Sequence, residues 1–373
     1  MTQDPSAPAR YTPLRERHEA LGASFTDFGG WQMPVRYTSD LAEHHAVRAS
    51  AGIFDISHMA EFTVVGVGAA EYLDYALAGR LSALALGKAK YSLLLAEDGG
   101  IIDDVIVYRL GDDDFLIISN AGNRDAVSEA LQARTTGRDV TVEDVSDAYA
   151  LIAVQGPNAE VILAETAGID AVSVPWAEQK YYAWASATYN GKPLLLARTG
   201  YTGEDGFELL VPAEDAPVLW DAVVAAGADH GLVPAGLAAR DTLRLEAGMP
   251  LYGHELNRET KPAQAGLGRV VVADKESFVG KGGVTPAEDA PVLVGLVAEG
   301  RRAGRAGYAV QTEDGAVVGE ITSGALSPTL GHPIAMAFVA PAVSDGETPL
   351  FLDVRGTKIP ATVTALPFYR RKK

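Results

Sequence analysis

The chain has 373 residues and no cysteine. That excludes disulfides, thiolate metal sites, a cysteine nucleophile and iron–sulfur ligation. Long apolar runs are missing too: none approaches the roughly 20 residues that a bilayer span requires. The opening MTQDPSAPARYTPLRERHEA has no apolar h-region of the secretory type, and its first ten residues read as a disordered leader. Positive charge is scarce. Thirty-one Lys and Arg against 49 Asp and Glu leave a formal charge of −18, a field that repels a phosphate backbone and argues against nucleic-acid and membrane-surface partners. The run Arg370, Arg371, Lys372, Lys373 is a short exception and reads as a solvated tail.

Several signatures are also absent. There is no GxxxxGK[ST] phosphate loop, no GxGxxG after an early strand, no HExxH and no GxSxG elbow. No metal, flavin or nicotinamide is therefore expected. His44 and His45 are adjacent, so on a helix they point about 100° apart, a poor geometry for one shared ion.

What the chain does have is enough apolar residues, 47%, for a large core. At roughly 150 residues per domain its length predicts two or three domains. Strands are expected at 61–67, 91–95, 101–109, 115–119, 150–155, 194–198 and 207–211, with a hairpin at Asn190-Gly191. Helices are expected at 69–78, 123–134, 158–166, 214–228 and 235–247, the third capped by Asn158. The mixture lacks strict βαβ alternation, which predicts an α+β class. Stretch 273–291 reads as a linker. Beyond it short strands recur at 292–298, 308–311, 316–321, 334–339, 350–354 and 360–366, the spacing of an antiparallel barrel or sandwich.

Two strands carry carboxylates among apolar neighbours. In GGIIDDVIVYRL (99–110) the alternation puts Ile101, Asp103, Val105, Val107 and Arg109 on one face. Ile102, Asp104, Ile106, Tyr108 and Leu110 take the other, more apolar face, which makes Asp104 the expected sequestered carboxylate. In RTGYTGEDGFEL (198–209), three glycines shape a tight loop before a strand. Glu204 and Asp205 read as solvated loop acids, Glu208 as a half-buried strand acid, and Tyr201 as a platform for a planar ligand. Arg240 and Arg244 share a helix face at i and i+4, either as a salt-bridged surface with Asp241 and Glu246 or as ligand contacts. Carboxylates, arginines and tyrosines without a nucleophile or metal suit a planar amide-like heterocycle, a pterin or a purine.

In chain order, DFGGWQMPVRY (27–37), EHHAVRASAGIFDISHM (43–59), GGIIDDVIVY (99–108), IAVQGPNA (152–159), RTGYTGEDGFEL (198–209), GLAARDTLRLEAGMPLYG (236–253), GEITSGALSPTLG (319–331) and PFYR (367–370) resemble the aminomethyltransferase, or T-protein, family of the glycine cleavage system. The resemblance covers nearly the whole length. It implies a three-domain, cloverleaf-like α+β fold with mixed and antiparallel sheets, a C-terminal antiparallel β-barrel and a central folate cavity. It implies domain 1 from 1–50 plus 145–275, domain 2 from 51–144 and a barrel from 285–373. The implied reaction moves the methylene group of aminomethyl-dihydrolipoyl H-protein to tetrahydrofolate with release of ammonia, in the cytoplasm. The implied catalytic residue is Asp104. Glu208 and Arg240 are the implied folate contacts, and Tyr91, Asn120, Tyr201, Tyr182 and Tyr369 line the same cavity. His58, in ISHM, matches the family signature and reads as structural.

Tetrahydrofolate is the implied co-substrate and lipoylated H-protein the implied partner, with Arg301, Arg302 and Arg305 as its expected docking patch. The alternative is another tetrahydrofolate-dependent one-carbon transferase or demethylase on the same scaffold, since a scaffold does not set its chemistry. The folate-binding accessory proteins of iron–sulfur assembly are set aside because their motif needs a cysteine.

Overall fold

In this computed structural model residues 9–371 are described, so most of the expected leader and the last two residues of the basic tail lie outside the described residues. Helix α1 (Arg15–Ala20) precedes a hairpin of β1 (Ser24–Phe28) and β2 (Trp31–Arg36). Then come α2 (Asp40–Ala49), β3 (Ala51–Asp55), β4 (Ala60–Val65), α3 (Ala69–Ala76), β5 (Ala89–Leu95), β6 (Ile101–Arg109), β7 (Asp114–Ser119), α4 (Arg124–Ala133) and β8 (Thr141–Asp144). The next stretch holds β9 (Tyr149–Gln155), α5 (Ala159–Glu165), β10 (Ile169–Asp170), β11 (Trp184–Tyr189), β12 (Lys192–Ala197), β13 (Gly206–Pro212), α6 (Ala216–Gly227), β14 (Leu232–Pro234) and α7 (Leu237–Glu246). The last six strands are β15 (Val292–Ala298), β16 (Ala309–Gln311), β17 (Val317–Leu326), β18 (Pro333–Val339), β19 (Leu350–Val354) and β20 (Thr357–Thr364).

The class is α+β. One sheet of seven strands runs β10-β11-β12-β13-β9-β3-β14, and one of five runs β5-β6-β7-β4-β8. The chain separates into two compact units: Met1–Leu73, Leu81–Tyr91 and Val105–Arg240 form one, and Asp74–Arg80, Ser92–Asp104 and Asp241–Lys373 the other.

In the first unit, the apolar faces of α5 (Ile162, Leu163) and α6 (Leu219, Trp220, Val223) pack on Ile53, Ile152, Val154, Leu196 and Leu209 of the seven-stranded sheet. The expected hairpin forms at Asn190-Gly191, where both residues take positive φ and Tyr189 pairs with Lys192. Asn158 does not cap α5 as expected. It stands at the cap position with φ −95° and ψ 4° and makes no capping bond, and its amide goes instead to the carbonyl of His230 at 2.9 Å.

Among the described residues of the second unit, β15-β18-β17-β16-β19-β20 close an antiparallel barrel around Leu296, Val310, Ile321, Ala337 and Leu352. The expected barrel alternative is thus the one realised, with β17 running on past 321 through a bulge. The expected linker is, in its first half, packed structure. The ammonium of buried Lys275 donates to the carbonyls of Asp74 (2.6 Å), Leu77 (2.5 Å) and Gly79 (2.8 Å), satisfying the orphan carbonyls at the end of α3. Composition missed this because one buried lysine, not an apolar run, ties the segment down.

Candidate active site

The RTGYTGED loop joins β12 to β13 and is stapled from beneath by Gln155, the fully buried last residue of β9. The Gln155 amide donates to the Thr199 carbonyl at 3.0 Å, and its oxygen accepts from the Thr202 hydroxyl at 2.9 Å. Two of the motif glycines answer to this staple. A Cβ at Gly200 would lie 1.9 Å from Gln155 Oε1, and one at Gly206 would lie 2.4 Å from Nε2.

The loop acids, expected to be solvated, are in fact paired. Arg198 forks onto Asp205 at 3.1 and 2.5 Å and reaches Glu160 at 2.9 Å. Arg48 holds the Thr202 carbonyl at 2.7 Å and buried Glu204 at 2.8 Å. Three separate elements thus fix the loop, and an alternation pattern read along one strand cannot see partners 150 residues away.

Glu208 sits on β13 with 9% exposure, opposite Ala197 and Ala153. Its Oε2 accepts from the Thr199 hydroxyl at 2.5 Å, and the Tyr108 hydroxyl lies 3.1 Å from the same Thr199 oxygen. Burial pushes the Glu208 carboxyl above the ordinary range, opposed by the Thr199 bond, the Arg240 charge and Tyr108. Arg240 comes from α7, whose start is set by Glu43. That buried carboxylate accepts the backbone N–H of Tyr37 (2.7 Å), Thr38 (2.9 Å) and Gly236 (2.9 Å), so it caps α7 from another helix. The Arg240 guanidinium lies 4.8 Å from the centre of the Tyr201 ring, and its Nη1 is buried without a hydrogen-bond partner. Glu208, Arg240 and Tyr201 therefore meet, as the sequence suggested.

Arg244, its neighbour by helical spacing, makes the expected ion pair with Asp241, but buried rather than on a surface, and its second carboxylate is Glu255, not Glu246. It is buried and joins Asp241, Glu255 and the Ser323 hydroxyl of β17 at 2.7 to 3.0 Å, an internal clamp on the barrel.

Near this cluster, Tyr182 bears electrostatically on Tyr108 and is held at φ +59°, a conformation that costs a bulky residue about 1–3 kcal/mol. Burial brings the His58 imidazole down to about 4, so it is neutral, edge-on to Phe28 with centroids 5.4 Å apart. Asn120 is half-buried at the end of β7, and Tyr91 is half-buried in β5.

In β6 the burial reading of the aspartate pair is reversed. Asp103 is the sequestered one, at 0% exposure, and Asp104 is half-buried. The face of Ile101, Asp103, Val105 and Val107 is the closed core face, whereas Ile106 beside Asp104 is itself only half-buried. Counting apolar residues favoured the wrong face because both faces are apolar and the Asp104 face, though covered at Ile102 and Tyr108, is open around Asp104 and Ile106. In the same unit as Asp104, Tyr252 donates from its hydroxyl to the Ile101 carbonyl at 3.0 Å, anchoring the start of β6. Burial pushes that hydroxyl up to about 12, with the charges of Asp103 and, more weakly, Asp104 adding to the effect. Tyr369 is half-buried, its N–H bonded to the Glu246 carbonyl at 2.8 Å.

The residues that sequence reasoning passed over are Thr199, Tyr108 and Gln155. Only Tyr108 left a trace, as a polar tip on the Asp104 face of β6.

Among the described residues no group of His, Asp and Glu could hold a metal ion, and no helix is long and apolar enough to cross a membrane. The described residues thus combine α+β sheets and a closed C-terminal barrel with a cluster of Glu208 from β13, Arg240 from α7 and Tyr201 from the stapled loop. The GCVT N-terminal domain model matches residues 14–275, and the glycine cleavage T-protein C-terminal barrel model matches 292–370. The chain is 56% identical to the aminomethyltransferase of Cutibacterium acnes over 97% of this chain and 99% of that one. It is 54% identical to that of Saccharopolyspora erythraea, over 97% and 98%. A crystal structure of glycine cleavage system aminomethyltransferase T from Bartonella henselae superposes with a TM-score of 0.89 at 36% identity, covering 98% of this chain and 99% of that one. The chain belongs to the glycine cleavage T-protein family.

Proposed function

We propose that this chain transfers the methylene group of aminomethyl-dihydrolipoyl H-protein to tetrahydrofolate and releases ammonia. In this reading the carbon's bonds to sulfur and to the amine break while bonds to two folate nitrogens form. The two protons lost by those nitrogens leave on the thiol and the ammonia. Glu208 accepts from the N–H groups of the pterin edge, and the free Nη1 of Arg240 donates to its oxygen. Tyr201, Tyr182, Tyr91, Asn120 and Tyr369 line the folate's path. Asp104 stabilises the positive charge that develops on the carbon as the amine departs, and it orients the attacking nitrogen. Its half-burial suits a group that must meet substrate. The exposed Arg301, Arg302 and Arg305 are the surface assigned to the carrier protein.

The observation that carries the reading is the buried Arg240 Nη1 without a partner beside a buried carboxylate, in a member of this family. The test is ammonia release from aminomethylated H-protein with and without tetrahydrofolate. Strict dependence on both supports the reading; one-carbon transfer to tetrahydrofolate only from a methylated small molecule, without H-protein, would replace it with the demethylase alternative.

A further inference from the structure

We propose that Thr199 and Tyr108 are positioning residues for Glu208: they hold its carboxyl in one orientation as an acceptor and so set the site's preference for a ligand edge rich in N–H donors. This rests on the folate reading above and names the device behind it.

The geometry gives the relay a direction. Thr199 has one hydroxyl proton, and the 2.5 Å bond to Glu208 Oε2 uses it. The Tyr108 hydroxyl lies 3.1 Å from the same oxygen and also bonds to the Glu208 carboxyl, so its single proton goes to Thr199 or straight to Glu208. Both hydroxyls therefore turn donors toward Glu208, and the set ends on its carboxyl group. Tyr108 and Thr199 are buried, at 2% and 1% exposure, so water does not compete for either bond. Burial alone favours a neutral Glu208, whose own O–H would face the ring N–H of a pterin and repel it. Two hydroxyl donors on the carboxyl favour its ionised form and fix the plane it presents to the ligand. Charge-assisted bonds of this kind are shorter and stronger than neutral ones.

The relay is separate from the loop's scaffolding. Gln155 grips the carbonyl of Thr199 and the hydroxyl of Thr202, so the Thr199 hydroxyl is not part of the staple. Thr199→Val keeps the side-chain shape and removes only the donor.

The experiment is an equilibrium titration of the full-length protein with tetrahydrofolate, read by intrinsic fluorescence from weakly acidic to weakly alkaline pH. Thr199→Val is expected to bind roughly 10- to 100-fold more weakly and to lose binding at a higher pH than the wild type as acid is added. Thr199→Ser restores both properties, and Tyr108→Phe moves both in the same direction by less. A Thr199→Val protein with wild-type affinity and pH profile overturns the relay while leaving the folate reading intact. So does a weakening that is equal at every pH and is not restored by serine. A wild type that binds no folate overturns the folate reading, and the relay falls with it.

Discussion

Glu208 and Glu61 are both glutamates on central strands, both buried, and both raised above the ordinary carboxyl range with burial as the leading cause. Their surroundings differ completely. Glu208 has the Thr199 hydroxyl on Oε2, Tyr108 behind it and the Arg240 charge beside it. Glu61, on β4 at 1% exposure, has both carboxyl oxygens buried without a hydrogen-bond partner. The nearest cation acting on it, Arg124, is already committed to Asp144 and Asp147 at 2.7 Å each. Burial thus raises both acids, but at Glu208 hydroxyl donors and the Arg240 charge oppose the rise, whereas at Glu61 no hydrogen bond does. Partners decide the state of a buried acid; depth alone does not.

The largest effect is expected at a third strand carboxylate. Asp104→Ala should lower turnover by roughly 10²- to 10⁴-fold while tetrahydrofolate still binds with near-native affinity. Parallel losses in turnover and affinity would show that Asp104 only holds the co-substrate. Next comes a buried charge of the opposite sign that donates to three backbone carbonyls and lies over the Phe278 ring. Lys275→Met strands three carbonyls at the end of α3, and thermal unfolding should show a loss of roughly 2–4 kcal/mol. No change would mean water replaces the ammonium there, and burial would then be a poor guide to cost in this fold.

Much of this was legible in the sequence. β6, β15 and β19 run where the sequence put them, because each is an apolar segment bounded by turn residues. The Asn-Gly hairpin was legible because only residues tolerant of positive φ fit it. Glu208 was legible as chemistry, a carboxylate among apolar strand neighbours, whereas its grouping with Arg240 and Tyr201 came from the family resemblance. The choice between Asp103 and Asp104 was not legible. Alternation assigns two faces but does not say which one other elements will cover. Glu43, Gln155 and Lys275 were invisible for the same reason: each acts on backbone groups far away in sequence, and no local pattern marks a side chain as a remote cap. Glu61 left no sign at all, because its importance lies in partners it lacks.

A direct contrast of the two glutamates comes from the same substitution at both. Glu208→Gln replaces a carboxyl acceptor with an amide that presents N–H toward the ligand or toward Thr199. Folate affinity should fall roughly 10- to 100-fold, the value of one charge-assisted bond. Glu61→Gln should leave that affinity unchanged. Equal affinity losses in the two would mean that Glu61 also faces the ligand, and the contrast drawn between them would fail.

The smallest effect is the stability change at Glu61, and its sign depends on pH. The folded state raises the Glu61 carboxyl well above its ordinary 4.5, so folded protein keeps a proton that the unfolded chain releases. The full stability is present below the ordinary value and is lost progressively as pH rises toward the raised folded value, since the unfolded state is the one that deprotonates first. Glu61→Gln cannot deprotonate and removes that slope. Near pH 4 the two proteins should unfold at similar denaturant concentrations. At neutral and mildly alkaline pH the variant should be the more stable, by roughly 1–2 kcal/mol. Glu208→Gln supplies the control. Its carboxyl is also raised, but the Thr199 bond and the Arg240 charge oppose burial there, so the same comparison should give a shallower pH slope. Urea unfolding of wild type and both variants at several pH values measures all of this. A wild-type curve whose midpoint does not move between acid and neutral pH relative to Glu61→Gln would show that Glu61 ionises freely, and that burial without partners is less costly on β4 than its surroundings imply.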